Sequence, residues 1–386
     1  MRDLGGVAVF ELDNAPRDYD WGSLDLIAGF RGLPSSGKPE AEVWFGDHPA
    51  SPAFRVDTGE PMTDIEVERF GESGRLPFLV KLLAAASPLS IQVHPSVPQA
   101  TAGFEREDAA GVPLDSPQRN YRDRNHKPEI LIALGDFSAL CGFRPAPERK
   151  KILEFISISG VASASELIER CNRDLAEAVE WLLADGEAVR ELTASLAEFQ
   201  KTSGDALIDD AVSVAKRLGE KYPQDPGIAI SLLLNHVQLK TGEAVFLPAG
   251  NLHAYLGGLG VEVMATSDNV LRGGLTSKHI DVPELLSVTD FRELNNPIVP
   301  AKQTDSGKVY STPVSEFAVR EINLDETTVT DLAGPAVVVV IDGAATLRSD
   351  PDKLELTRGR VGFVEWGETI DELTGSGRLI AVTIPD

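Results

Sequence analysis

A chain of 386 residues is too long for one compact core, so two or three domains are expected. Its formal net charge of -24 argues against nucleic acid or an anionic membrane surface as a partner, because the long-range field repels both. The two cysteines, Cys141 and Cys171, have no CxxC spacing, which predicts reduced thiols, no structural disulfide and a cytoplasmic setting.

Met1 to Trp21 lacks a basic start followed by an apolar run, so no signal peptide is expected, and no apolar stretch approaches a membrane span. To about residue 145 the pattern is short strands punctuated by Gly and Pro, as in Gly32-Leu33-Pro34 and Gly46-Asp47-His48-Pro49. Leu76 to Leu83 is a strongly apolar strand candidate. Leu89 to Pro95 alternates: Leu89, Ile91 and Val93 fall on one side of an extended strand, Ser90, Gln92 and His94 on the other. Gly103 to Asn125 is polar and reads as loop or short helix, after which Glu129 opens another apolar strand.

From Glu148 to about Asn235 the chain is rich in Ala, Leu, Glu, Lys and Arg, with apolar residues at helical spacing, such as Ile152, Phe155 and Ile156. Ser163 and Glu166 fit a capping box, and Asp209 precedes the run Ala211, Val212, Val214. Several helices are expected here, inserted between two β regions. Strand character returns at Glu243 to Leu247 and Gly260 to Met264, and again from about Phe317. There Ala336 to Ile341 runs into Asp342-Gly343, a hairpin signal.

Two frames echo one another. Gly242-x5-Pro248-x-Gly250-x2-His253 has the spacing of the second motif of cupins, small double-stranded jelly-roll barrels; Gly359-x5-Glu365-x-Gly367 repeats it with Ile370 in place of the His. Two related barrels are inferred, the second without its metal ligand. If one barrel brings the strands together, Gln92, His94, Glu129 and His253 supply two nitrogens and two oxygens. That set suits zinc, with manganese or iron as harder alternatives. His48 and His279 read as loop or helix-end histidines. The stretch Met264 to Lys278 carries Asp268, Arg272, Gly273-Gly274 and Lys278. Arg272 offers a planar fork for phosphate or an enediolate, and Lys278 a mobile point charge. By itself the pattern reads first as a solvated turn with an Asp268–Arg272 ion pair.

Taken together, Tyr19 to Ser23, Glu42 to Pro49, Leu89 to Pro95, Asn125 to Glu129, Pro248 to His253 and Ser267 to Lys278 resemble, in order, the sequence blocks of type I mannose-6-phosphate isomerases, also called phosphomannose isomerases. The resemblance implies a mainly β (α+β) chain with a helical insert and cupin-type jelly-roll barrels, the second degenerate. Residues 1–146 with 236–310 would form the catalytic domain, 147–235 the insert and 311–386 a C-terminal β domain. It implies a zinc-dependent aldose–ketose isomerase acting on mannose 6-phosphate and fructose 6-phosphate. One zinc per chain would sit on Gln92, His94, Glu129 and His253, with Arg272 as the active-site arginine. Lys81, Ser90, Lys127, Tyr255, Glu262, Asp268 and Lys278 fall on substrate-pocket positions. Lys127 is a candidate base, Glu262 its rival, and His126 and Asp268 candidates for assisting ring opening. Arg124 departs from a common proline, and Glu365-Trp366 from a Pro-Ala pair. Two alternatives remain: a sugar-phosphate-binding cupin without catalysis, and an iron cupin oxygenase, which Gln92 and the distant Glu129 fit poorly.

Overall fold

The computed structural model describes residues 8–64, 75–324 and 331–385; the first seven residues of the stretch read as lacking a leader lie outside them. Among the described residues two nine-stranded antiparallel sheets and nine helices form, and no helix is long and apolar enough to cross a membrane. The first part of the chain gives β1 (Val9–Asp13), α1 (Leu26–Phe30), β2 (Glu42–Phe45), β3 (Phe54–Arg55), β4 (Phe78–Ala85), β5 (Gln92–Val93), α2 (Val97–Ala109), β6 (Glu129–Ala133) and β7 (Phe137–Phe143). The helical segment follows as α3 (Ala146–Ile158), α4 (Ser163–Arg173), α5 (Leu175–Leu183), α6 (Glu187–Ala197), α7 (Ala206–Lys221) and α8 (Gly227–Ser231). Strands resume with β8 (Leu234–Leu239), β9 (Ala244–Leu247), β10 (His253–Ala265) and β11 (Leu271–Arg272), then α9 (Val282–Val288). The last part holds β12 (Ala301–Thr304), β13 (Gly307–Tyr310), β14 (Ala318–Asn323), β15 (Ala336–Ser349), β16 (Asp352–Thr357), β17 (Val361–Val364) and β18 (Glu372–Thr383).

Strand β10 organises the first sheet. Its N-terminal half pairs with β5 and β7, its C-terminal half with β4 and β6. Strand β4 reads FLVKLLAA and is buried along its whole length, as expected of a strand covered on both faces. Val80, Leu82 and Ala84 pack with Val337, Val339 and Phe363 of the second sheet. Leu83 and Ala85 join Leu131, Ala133, Val245, Leu247 and Tyr255 in a separate interior core. Burying each Val or Leu contributes about 1.5–3 kcal/mol, so both faces are strongly specified. Lys81 shares the parity of Leu83 and Ala85, and therefore projects from the interior face.

A β-bulge decides what β10 presents there. Opposite β7 the register runs Tyr255↔Ala139, then Gly257↔Ser138, so one extra residue is inserted. Before it the odd-numbered His253 and Tyr255 face the interior; after it the even-numbered Glu262 and Met264 do, opposite Lys81 and Glu129. Without the extra residue, His253 and Glu262 would point to opposite faces.

The helical segment packs on the other face of the strands that carry Gln92 and His253. Ile91, Val93, Ala254 and Leu256 share a core with Ile152, Leu182, Leu192 and Leu218. Two capping expectations need correction. Ser163 is the first residue of α4 rather than its cap, with a buried hydroxyl that makes no hydrogen bond among the described residues. Asp205, not Asp209, caps α7, accepting from the backbone N–H of Leu207 and Ile208.

The second sheet runs β12-β13-β14-β18-β15-β17-β1-β3, with β16 on β15. The N-terminal strand β1 thus lies in a ladder with β17, and β12–β13 sit in this sheet as well. The hairpin expected at Asp342-Gly343 does not form. Strand β15 continues through it beside β18, with a bulge between Val340 and Asp342 and Gly343 at φ 70°. A glycine at positive φ serves a bulge as well as a turn.

Candidate metal centre and anion pocket

Three side chains from distant parts of the chain converge. His94 follows β5, Glu129 opens β6 and His253 opens β10, and one ligand atom of each lies within 4.8 Å of the others. All three are buried. Nδ1 of His94 lies 2.7 Å from the Asn269 carbonyl oxygen, and Nδ1 of His253 lies 2.9 Å from that of Asn251. A carbonyl only accepts, so each Nδ1 carries the proton, and in the neutral ring each Nε2 is left with a lone pair. Both lone pairs face the same carboxylate: His94 Nε2 is 3.4 Å from Glu129 Oε1, and His253 Nε2 is 3.4 Å from Oε2. Among the described residues, His94 Nε2 and Glu129 Oε2 have no hydrogen-bond partner. Three acceptors buried against one another are unfavourable unless a cation lies between them. Two imidazoles and a carboxylate fit a divalent metal of the zinc type.

Gln92 lies beside this cluster, its amide nitrogen 3.3 Å from His253 Nε2; turning the amide over brings its oxygen to the same place. Gln92 pairs directly with His253 on one side and Arg272 on the other. Burial lowers the His94 imidazole to about 4, against the pull of Glu129. Burial alone would raise the Glu129 carboxyl, but Lys127 and the two histidines outweigh it and hold it well below the usual range. Lys127 Nζ is 3.1 Å from Glu129 Oε1.

A second charged row lies one ladder step away. Lys81 Nζ is 3.0 Å from Glu262 Oε2, 3.7 Å from Glu42 Oε1 and 5.0 Å from the Trp44 ring centroid. Burial opposes the Lys81 charge, but Glu262, Glu42 and Glu129 raise its pKa above the ordinary value. Burial raises the Glu262 carboxyl; Lys81 opposes this, and Glu129 and Glu42 add to it. Among the described residues the buried Tyr255 hydroxyl has no hydrogen-bond partner within reach; burial, then Glu262 and Glu129, push its pKa up.

Arg272 does not pair with Asp268. Asp268 lies 3.3 Å from His48, which is buried edge-on against Trp44, and that hydrogen bond lowers the Asp268 pKa. Among the described residues Arg272 has no ion-pair partner. Burial, then the charge of Arg122, lowers its pKa. Lys278 is likewise lowered, by burial, then Arg272 and Arg122. Cations gathered with no anion beside them among the described residues suit an anionic ligand. Gly273 and Gly274 let this loop close on β5, exchanging backbone hydrogen bonds with Ile91. Asp225, just before α8, accepts from the backbone of Leu275 and Thr276 and so fixes the loop from the insert side.

Asn269 ties the parts together. Its side chain accepts from the backbone of Arg122 and Asp123 and donates to Asp123 and Asn125, while its carbonyl orients His94. Asn269→Ala should cost roughly 3 kcal/mol, from buried groups left unpaired at about 1–3 kcal/mol each. It should also weaken metal affinity about tenfold or more through His94. Urea titration and a metal-competition assay measure the two effects; a variant matching wild type in both would show that the loop holds itself. His126 Nε2 lies 2.7 Å from Glu316 Oε1, and Ser90 is half-buried two residues before Gln92.

A profile of the type I phosphomannose isomerase catalytic domain matches residues 9–146. Over 96% of this chain and 98% of its own length, the mannose-6-phosphate isomerase of Escherichia coli K12 is 36% identical. The chain belongs to the type I phosphomannose isomerase family. The Saccharomyces cerevisiae mannose-6-phosphate isomerase is 32% identical over 92% of this chain and 93% of its own. A lysine-to-alanine mutant of phosphomannose isomerase from Salmonella typhimurium superposes with a TM-score of 0.90, at 33% identity, covering 98% of this chain and 100% of that one. The Salmonella typhimurium enzyme solved with its substrate (f6p) and zinc gives 0.87, at 33% identity over 98% and 100% of the two chains.

Within this phosphomannose isomerase family member, sequence reasoning missed four residues around the site. Glu42 carried a signal: an acid in the apolar run Glu42-Val43-Trp44-Phe45 needs a buried cation, and Lys81 is one. His48 lies in a loop, Arg122 in a polar stretch and Asn269 in a turn-like one, so local sequence gives none of them away. Ile370 is buried in the second sheet's core. Among the described residues only His94, Glu129 and His253 group as potential ligands.

Proposed function

We propose that this chain interconverts mannose 6-phosphate and fructose 6-phosphate, moving a proton between carbon-1 and carbon-2 through an enediolate, with one zinc per chain. The observation that carries this reading is the buried cluster in which two imidazole lone pairs face one carboxylate. Gln92, His94, Glu129 and His253 hold the zinc; when bound, it supplies Lewis-acid stabilisation of negative charge on the sugar oxygens. The first sheet is read as the cupin-type barrel around it, and the second as its degenerate counterpart. Arg272 donates to the enediolate, where its unpaired fork is available without first breaking an ion pair. Glu262 is assigned the proton shuttle, because it is buried on the interior face beside Lys81 and burial raises its carboxyl above the ordinary value. Lys127, paired with Glu129, is the second candidate base. Asp268 with His48 is assigned to ring opening, and Ser90 and Tyr255 to the sugar hydroxyls. Two free thiols and the strong negative charge suit a cytoplasmic enzyme.

Incubation with fructose 6-phosphate in D2O tests the reaction. NMR should show mannose 6-phosphate formed with deuterium incorporated at the exchanging carbon. Binding of the sugar phosphate with neither product nor exchange would leave the non-catalytic binding cupin as the reading.

The cation cluster predicts dependence on the phosphate. Arg122, Arg272 and Lys278 repel one another unless an anion arrives, and a phosphate held away from carbon-1 and carbon-2 orients the open-chain sugar. Catalytic efficiency should favour mannose 6-phosphate over mannose by a large factor, and Lys278→Ala should narrow it. Equal efficiency on both sugars would remove the phosphate assignment.

A further inference from the structure

On the opposite face of the first sheet from the metal cluster lies a second constellation. Ser138 of β7 directs its Oγ to Nε2 of His236 on β8, at 2.8 Å. Nδ1 of the same ring lies 2.8 Å and 2.9 Å from the two carboxylate oxygens of Asp210 on α7. The ionised carboxylate only accepts, so Nδ1 carries the ring proton. In the neutral ring the lone pair is then at Nε2, and the Ser138 hydroxyl donates to it. Two turns along α7, Arg217 approaches the same Oγ at 3.4 Å and can only donate to it. The Ser138 proton is therefore directed at a shielded base that a half-exposed carboxylate orients, the arrangement that activates a serine nucleophile.

The surroundings leave room for a reactant. An open cleft of about 230 Å3 is lined by Ser138, Arg217, Gln238, Gly257 and their neighbours. The His236 ring is 4% exposed, so the base is shielded while the hydroxyl borders the cleft. The insert and the sheet jointly build the site, since Asp210 and Arg217 come from α7 and Ser138 and His236 from adjacent strands. A hydrogen-bond relay that only fastens α7 to the sheet would need neither the cleft nor the cation beside Oγ.

We propose that Ser138, His236 and Asp210 form a second catalytic site, which takes the acyl group of a small activated ester and releases it to water. Ser138 Oγ bonds to the carbonyl carbon while its proton passes to His236 Nε2. The carbon–oxygen bond to the leaving group breaks, and that oxygen receives the proton. Water then attacks the acyl carbon and gives a proton to His236; the bond to Oγ breaks, Oγ recovers the proton, and a carboxylic acid leaves. Arg217 faces the developing oxyanion. The cleft's size favours short acyl groups over long chains.

Two probes test the site on the intact chain. A fluorophosphonate should give one covalent adduct, located by peptide mass spectrometry at Ser138. 4-Nitrophenyl acetate should release nitrophenolate about tenfold or more above the rate of Ser138→Ala. His236→Gln should abolish both signals, and Asp210→Asn should weaken them by misplacing the ring proton. Isomerase turnover should be unchanged in Ser138→Ala, which confirms the fold and separates this site from the metal cluster. An adduct elsewhere, no adduct, or nitrophenolate release equal in wild type and Ser138→Ala overturns the proposal and leaves the triad a structural relay.

Discussion

His94→Ala is expected to lower isomerase kcat by at least about a thousandfold, because several kcal/mol of charge stabilisation depend on the metal and each 1.36 kcal/mol is tenfold in rate. His253→Ala should behave alike, since its Nε2 faces the other oxygen of Glu129. Both variants should remain folded by circular dichroism. The interior core of Leu83, Leu131, Ala133, Val245 and Leu247 does not depend on either ring, and the helical segment packs on the far face. The thermodynamic cost in His94→Ala is the Asn269 carbonyl losing its donor, about 1–3 kcal/mol. Zinc content should fall with activity. An unfolded variant would make the metal structural, and a folded, active variant would place the chemistry elsewhere.

Arg272→Lys should lose about a hundredfold in turnover although the charge is retained. Arg272 is half-buried, has no ion-pair partner among the described residues, and stands next to Gln92 in the ladder. A guanidinium held there without an anion is costly to keep, and its planar fork reaches two oxygens at once where an ammonium reaches one point. The loss should fall mainly on kcat if the contact strengthens in the transition state, and on KM if it only holds substrate. Near-normal turnover in both constants would make Arg272 a positioning charge for the loop.

The strand periodicity in Leu89 to Pro95 was the most informative local signal, yet only Gln92 and Val93 form a regular ladder. The flanking residues reach isolated backbone partners: Leu89 donates to Tyr255, and Ile91 donates to Gly274 and accepts from Gly273. The alternation survives because both neighbouring segments hold the chain extended. The helical segment was legible from 3.6-residue spacing, which its large buried core requires. Other features leave no local trace. The bulge at β10 falls at Gly257, in the half-buried stretch Gly257 to Leu259, where glycines carry no side chain to mark which face a residue takes. The β1–β17 ladder joins residues about the whole chain apart, and periodicity carries no pairing information over that distance. Asp342-Gly343 shows the converse: a strong turn dipeptide whose conformation a bulge also accepts, with tertiary pairing to β18 deciding between them.

The most direct measurement of the account is a zinc titration of chelated protein, following mannose 6-phosphate turnover and bound metal together. Turnover should be absent without metal, rise in proportion to zinc and stop at one equivalent per chain, with His253→Ala showing neither uptake nor recovery. Turnover that survives chelation, or activity that requires a second equivalent, would contradict the assignment of Gln92, His94, Glu129 and His253 as the single metal centre.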